Sequence, residues 1–408
     1  MTDEPQNTAS GPDADDVVSE PDGGFRIETD ETGGFDGFTV PTPDYDADEA
    51  TDGDLDRRGS ILEAYREQRR QKVAFIVATA AIIVAVGSYA LVSGPISVPL
   101  RDLPAILAGQ QGGTRSIVIW NLRLPRIIAA LGAGAGLAVA GATLQSVLRN
   151  PLASPYTLGI SQAAAFGAAF SIVFLGAGTT KDEGTIVQLA NPYLTSTTAF
   201  VAALGATGAI YGIAKYKRAS PETLILAGIA LASLATAGTT VMEYFATNVQ
   251  LAALIFWKFG DVGDATWTFD AILWIVVLLA TAYFTRNAWA YTVLNAGDET
   301  AESLGVNVER TRLAGMVLAS FVTATVVGMF GVIGFVGLVV PHIVRRSIGG
   351  DERFLIPAST LGGAALLLAS DTVARTILSP IVFPVGIVTS FVGVPLFLYL
   401  ILRGREYW

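Results

Sequence analysis

Cysteine is absent from the 408 residues, and histidine occurs once, at His342. A disulfide framework, a thiolate metal site and a multi-histidine metal centre are all excluded by that count. Charge is scarce as well. Asp, Glu, Lys and Arg make up 15% of the chain, against roughly 25% in soluble domains. The phosphate-cradling pattern G-x-x-x-x-G-K-[ST] occurs nowhere, so the chain lacks that route to binding and hydrolysing ATP. No nucleophile–base pair, no metal-ligand cluster and no series of buried acids for proton relay stands out. These gaps argue against an enzyme and leave no cofactor, no metal and no nucleic acid to expect.

What is present is apolar. Hydrophobic residues account for 51% of the chain, and the mean hydropathy is +0.51. Runs of about twenty residues with almost no charge are long enough to cross ~30 Å of hydrocarbon. The first is Val73–Val92, and others lie near 124–147, 156–177, 192–214, 223–245, 268–285, 311–330, 332–345, 355–378 and 384–402. An all-α polytopic membrane protein with about ten transmembrane helices is expected, its two five-helix halves inverted relative to each other. Gly and Ala crowd several of these helices, as in Ala129–Gly141, where small residues let helix backbones approach closely.

The net charge of −10 is unevenly placed. Half of the 36 acidic residues lie in 1–56 beside a single base, Arg26. Residues 1–60, poor in aliphatic side chains, are expected to be a disordered acidic tail, and 61–408 the transmembrane domain. Arg57, Arg58, Arg66, Arg69, Arg70 and Lys72 precede the first span and place that side in the cytoplasm. Alternation then puts Arg149, Lys215–Arg218, Arg286, Arg310–Arg312, Arg345–Arg346 and Arg403–Arg405 on the same side, with both termini cytoplasmic in a multi-pass cell-membrane protein. Arg115, Arg123, Arg126 and Arg375 fall on the outer side and break the pattern.

Local chemistry adds detail. Asp371 and Arg375 are four apart, on one helical face, as a local ion pair requires. Glu243 and Lys258 are expected at the outer boundary, where long side chains reach water. His342, beside Pro341, reads as a hydrogen-bonded structural residue. In Gly141–Ser161 (GATLQSVLRNPLASPYTLGIS), Pro151 and Pro155 stop helices and form a tight connection. In Gly297–Val306 (GDETAESLGV), Asp298–Thr300 can begin a short helix that Gly305 ends. GVIGFVGLVVPHIVRR (Gly331–Arg346) and FPVGIVTSFVGVPLFLYLILR (Phe383–Arg403) follow.

From about Lys72 to the C-terminus, these motifs resemble the permeases of ATP-binding-cassette importers for iron–siderophore complexes, haem and vitamin B12. LRLPR, RNPLA, the GDETAESLGV loop, GFVGLVVPH and PVG occur in order at compatible spacings. The resemblance implies a homodimer in the membrane lipid, two separate ATPase subunits and an extracytoplasmic substrate-binding protein. It assigns ATPase coupling to Gly297, Asp298, Glu299, Ala301, Leu304 and Gly305. Asn150 and Leu152 match residues of the cytoplasmic gate. Arg123, Arg126 and Arg375 match outward arginines that pair with glutamates of the binding protein, a task that suits a planar guanidinium. Iron–siderophore is the first expected cargo, cobalamin the second and haem the third. An ion-coupled secondary transporter is the rival from another class. Two departures from the family pattern stand out: Val382-Phe383 before Pro384-Val385-Gly386, and Trp257-Lys258-Phe259-Gly260-Asp261-Val262 in place of a Trp-x-x-Gly-Ser-Leu pattern.

Overall fold

The computed structural model describes residues 52–94, 96, 98–110, 112–177, 191–217, 220–378 and 381–403. The chain divides into two units, 1–60 and 61–408. The expected tail lies, up to residue 51, outside the described residues. Residues 52–60 are helical and begin the first helix. The Leu, Glu, Gln and Arg residues that follow carry the helix into the apolar run.

All regular structure among the described residues is helical. In chain order the helices are α1 (Asp52–Val92), α2 (Leu103–Leu107), α3 (Thr114–Ile117), α4 (Leu124–Val147), α5 (Ile160–Phe174), α6 (Pro192–Lys217), α7 (Pro221–Phe245) and α8 (Asn248–Phe259). They continue as α9 (Trp267–Arg286), α10 (Ala288–Asn295), α11 (Asp298–Ser303), α12 (Val308–Phe330), α13 (Val336–Ile348), α14 (Glu352–Thr376) and α15 (Val385–Arg403). Among the described residues, seven segments are long and apolar enough to cross a membrane: those built on α1, α4, α6, α7, α9, α12 and α14. Two expected spans are shorter than the runs suggested, whereas α15 has its expected length and keeps Pro395 inside it. Pro155 and the left-handed Gly159 delay α5 to Ile160. The eighth expected span, 332–345, is a break followed by a short helix. Gly331 (φ 71°) and Phe335 (φ 66°) adopt left-handed backbone, so α13 starts only at Val336 and contains Pro341.

Helix α4 is the centre of the bundle and packs against α9, α12, α13 and α14. Twenty-four residues make it about 36 Å long, so Arg126 and Arg149 lie at opposite ends. Glycine permits the close packing. A Cβ on Gly134 would lie 2.2 Å from the Gly363 carbonyl oxygen on α14. One on Gly141 would lie 1.8 Å from the Gly337 carbonyl oxygen on α13. By contrast α1 and α7 leave most of their apolar surface open, with Val84 and Leu234 among the exposed side chains. Such faces suit hydrocarbon or another apolar surface.

Candidate functional site

A cavity of about 720 Å³ runs beside α4. Its wall combines Leu137 of α4, the turn Ser154–Thr157, Lys258 and Phe259 at the end of α8, the break Val332–Phe335, and Gly386 to Pro395 of α15. Among the residues that line it, Lys258 alone is charged, and its Nζ pairs with Glu243 at 3.0 Å. The helix break supplies one side of the wall through Val332, Ile333, Gly334 and Phe335. Gly260 and Gly331 allow the backbones to close round it. A Cβ on Gly331 would lie 2.2 Å from the Trp257 carbonyl oxygen.

At one end of α4 the chain makes the turn Arg149–Ala153. Arg149 adopts φ 45°, and the Asn150 side-chain oxygen accepts from the Leu152 N–H at 2.8 Å. Leu152 is 44% exposed. Asn150 and Leu152 line a second cavity, of about 760 Å³, between this turn and α7. Tyr156 and Thr157 border both cavities, so the residues after Pro151 form their shared wall.

The loop 297–306 reaches the same end. Gly297 (φ 117°) and Gly305 (φ 80°) bracket α11 in backbone conformations that side chains rarely adopt. Ala301 is buried, while Glu299 and Leu304 are exposed. Asp298 ties the loop down. Its carboxylate accepts from Arg312 Nη2 at 3.0 and 3.2 Å and pairs with Arg149 at 3.4 Å. Arg312 in turn donates to the Val147 carbonyl at 3.0 Å. The Asn150–Leu152 turn and the 297–306 loop, predicted separately, are therefore joined through one carboxylate.

The opposite end holds Arg123, Arg126 and Arg375, and all three side chains are largely enclosed. Arg123 is only 5% exposed and donates to the carbonyls of Leu91 and Ile96. Arg126 Nε donates to Asp371 Oδ1 at 2.8 Å, and its Nη2 to Asp261 Oδ1 at 3.1 Å. Arg375 is buried and pairs with Asp371 at 3.1 Å, as the four-residue spacing predicts. Burial of Asp371, which is fully enclosed, accounts for the inward contacts of Arg126 and Arg375. A carboxylate removed from water demands cations beside it.

The profile of the FecCD transport family matches residues 80–403. The chain belongs to this family. MJ0087 of Methanocaldococcus jannaschii, named as an ABC transporter permease, is 49% identical over 84% of this chain and 98% of its own length. The hemin transport permease HmuU of Yersinia pestis is 39% identical over 71% of this chain and 84% of its own length. The cobalamin import permease BtuC of Halobacterium salinarum is 39% identical over 72% and 75%, respectively. A solved structure described as an inward-facing, metal-chelate type ABC transporter covers 81% of this chain and 99% of its own, with 28% identity and a TM-score of 0.69. This FecCD permease is thus a subunit of an ABC transporter, without catalytic activity of its own, and it requires an ATPase and a binding protein as partners. Membership sets aside the ion-coupled secondary transporter.

Sequence reasoning missed one group in the permease. Glu352 opens α14 and is fully buried, beside Ser146, Asn295 and Arg345. Its neighbour Asp351 caps the same helix, and a side-chain hydrogen bond from Arg353 holds the Asp351 carboxyl below the usual carboxylate range. A buried acid at a helix start reads in sequence as an ordinary cap residue. No spacing pattern links Glu352 to partners as distant in sequence as Ser146.

Proposed function

We propose that this permease moves an iron–siderophore-type metal chelate inward, as a homodimer carrying two ATPase subunits and receiving its cargo from a substrate-binding protein. Both termini then lie in the cytoplasm, and the Arg149 end of α4 faces it. The observation that carries the reading is the Asp298 carboxylate, which links the loop offered to the ATPase with the turn of Asn150 and Leu152 beside the cavity. Gly297, Asp298, Glu299, Ala301, Leu304 and Gly305 form the coupling loop. Leu304, an exposed apolar side chain at its tip, is the natural contact with a soluble subunit. Movement of the loop displaces Arg149 and with it Asn150 and Leu152, which act as the cytoplasmic gate. A mostly apolar cavity suits a bulky cargo whose affinity resides elsewhere, since weak contacts let it leave.

Docking of the binding protein is proposed at the Arg126 end. Arg123, Arg126 and Arg375 can meet its glutamates only by loosening their internal bonds, so docking and rearrangement of the Asp371 cluster are one event in this reading. Cobalamin is the second cargo, favoured by the 39% identity to the cobalamin permease of Halobacterium salinarum. Haem is third, on the equal identity to HmuU.

The test is uptake per ATP hydrolysed in liposomes that contain the full complex, with ferrichrome, ferric citrate, cyanocobalamin and haemin as cargoes. Replacing Leu304 with Glu should leave ATP hydrolysis running and abolish cargo uptake. Unchanged uptake in that variant would remove the loop assignment, and stimulation by cyanocobalamin alone would transfer the cargo to the corrinoid.

A further inference from the structure

Glu352 sits where four helices meet, and its hydrogen bonds are unevenly distributed. One oxygen, Oε1, accepts from Ser146 Oγ of α4 at 2.6 Å, from Asn295 Nδ2 of α10 at 3.2 Å and from Arg345 Nη2 of α13 at 3.5 Å. The other, Oε2, is buried with no hydrogen-bond partner among the described residues. The backbone N–H of Glu352 donates to Thr292 Oγ1, also on α10, at 3.4 Å. Helix α10 is thus held twice by one residue, and it ends two positions before Gly297, where the coupling loop begins.

The bonds continue toward the cavity. Arg345 donates through Nη1 to Gln145 Oε1 at 3.0 Å, and Gln145 Nε2 donates to the Leu338 carbonyl at 3.2 Å. Leu338 lines the 720 Å³ cavity. An unbroken series of polar contacts therefore runs Asn295, Glu352, Arg345, Gln145, Leu338, from the base of the coupling loop to the cavity wall. It is separate from the Asp298–Arg149 link, which leads to the gate turn instead.

We propose that Glu352 is a positioning residue through which displacement of α10 and α11 is passed to α13 and the cavity wall. The uneven bonding is what makes it a joint rather than a rivet. A buried carboxylate must keep its donors or incur a large desolvation penalty, so its partners follow it. Yet the stretched Arg345 contact and the bare Oε2 let Arg345 change oxygens without leaving the carboxylate. A displacement at α10 can then shift the Arg345–Gln145 pair while every charge stays partnered. Charge-assisted bonds of this kind are strong enough to hold the geometry.

This inference rests on the importer reading, and the experiment separates the two. Because the chain has no cysteine, paired nitroxide labels go only where they are placed. One pair is Glu302→Cys on α11 with Tyr216→Cys on α6; the other is Ser347→Cys on α13 with the same Tyr216→Cys. Distances are measured by pulsed EPR in the complete complex with its ATPase and binding protein, with and without Mg-ATP. In the parent chain both distances should shift. In Glu352→Ala the α11 shift should persist and the α13 shift should be lost, a split that general destabilisation would not produce. Should Glu352→Ala fail to assemble, Asn295→Ala combined with Thr292→Val, which together remove both α10 side-chain contacts to Glu352, should give the same split. Equal α13 shifts in parent and variant would overturn the role of Glu352. Two stationary distances in the parent would overturn the coupling-loop reading itself.

Discussion

The charge cluster at Arg126 shows how a single side chain can carry two demands. Arg126 is the only donor that reaches both Asp261 and Asp371 among the described residues, and its side chain is 12% exposed. Replacing it with Glu should leave three carboxylates together, one fully enclosed, and cost about 3–5 kcal/mol, as for other broken buried pairs. We expect Arg126→Glu to lower the melting temperature of the detergent-solubilised permease sharply and Arg126→Lys to lower it less. Equal melting of Arg126→Glu and the parent would show that the cluster does not stabilise the fold. Loss of docking in a charge-reversal variant therefore says little until folding has been measured. The Asp371–Arg375 contact was legible in sequence because four residues place two side chains on one helical face. The Arg126 contacts were not, since Asp261 and Asp371 lie 135 and 245 residues further along. Alternation of spans placed Arg126 at an end of its helix, and it gave no sign of the enclosed carboxylate that the arginine meets there.

At the scale of helices, the apolar runs located the bundle well because lipid requires every spanning backbone group to be satisfied within its own segment. The exception, 331–335, fails for the same reason it matters. Non-helical backbone at that depth is tolerated only where protein buries it or it lines a cavity, and Val332–Phe335 line one. Hydropathy sees five apolar or glycine residues and cannot see the left-handed turn. Close packing of α4 is tested by Gly141→Ala. The added methyl group would meet backbone rather than a flexible side chain, so relief requires α13 to move. A loss of about 1–3 kcal/mol or more is expected, read as reduced thermal stability, whereas Gly205→Ala on α6, where nothing lies within 4 Å, should be neutral. Equal melting of the two variants would contradict the packing described.

For the whole molecule, family is easier to read from the sequence than cargo. The proposed coupling loop and gate carry no feature tied to one cargo, while the cavity wall offers one cation, Lys258, already paired with Glu243. Relatives named for hemin and for cobalamin stand at equal identity, so ligand choice has to be measured with the binding protein present. The permease alone, sealed in vesicles, should not concentrate any of the four cargoes, with or without ATP outside. Concentrative uptake by the isolated chain would end the account of a conduit driven through its inner loop.

Helix α4 touches α14 and α13 backbone to backbone, and it is fastened at its two ends to Asp371 and Glu352 of the same antiparallel neighbour. Such a pair cannot slide lengthwise without driving glycine faces into side chains. A motion that keeps these contacts would turn the outlying helices about the line of α4 and α14, with the widest excursions in the segments furthest from it.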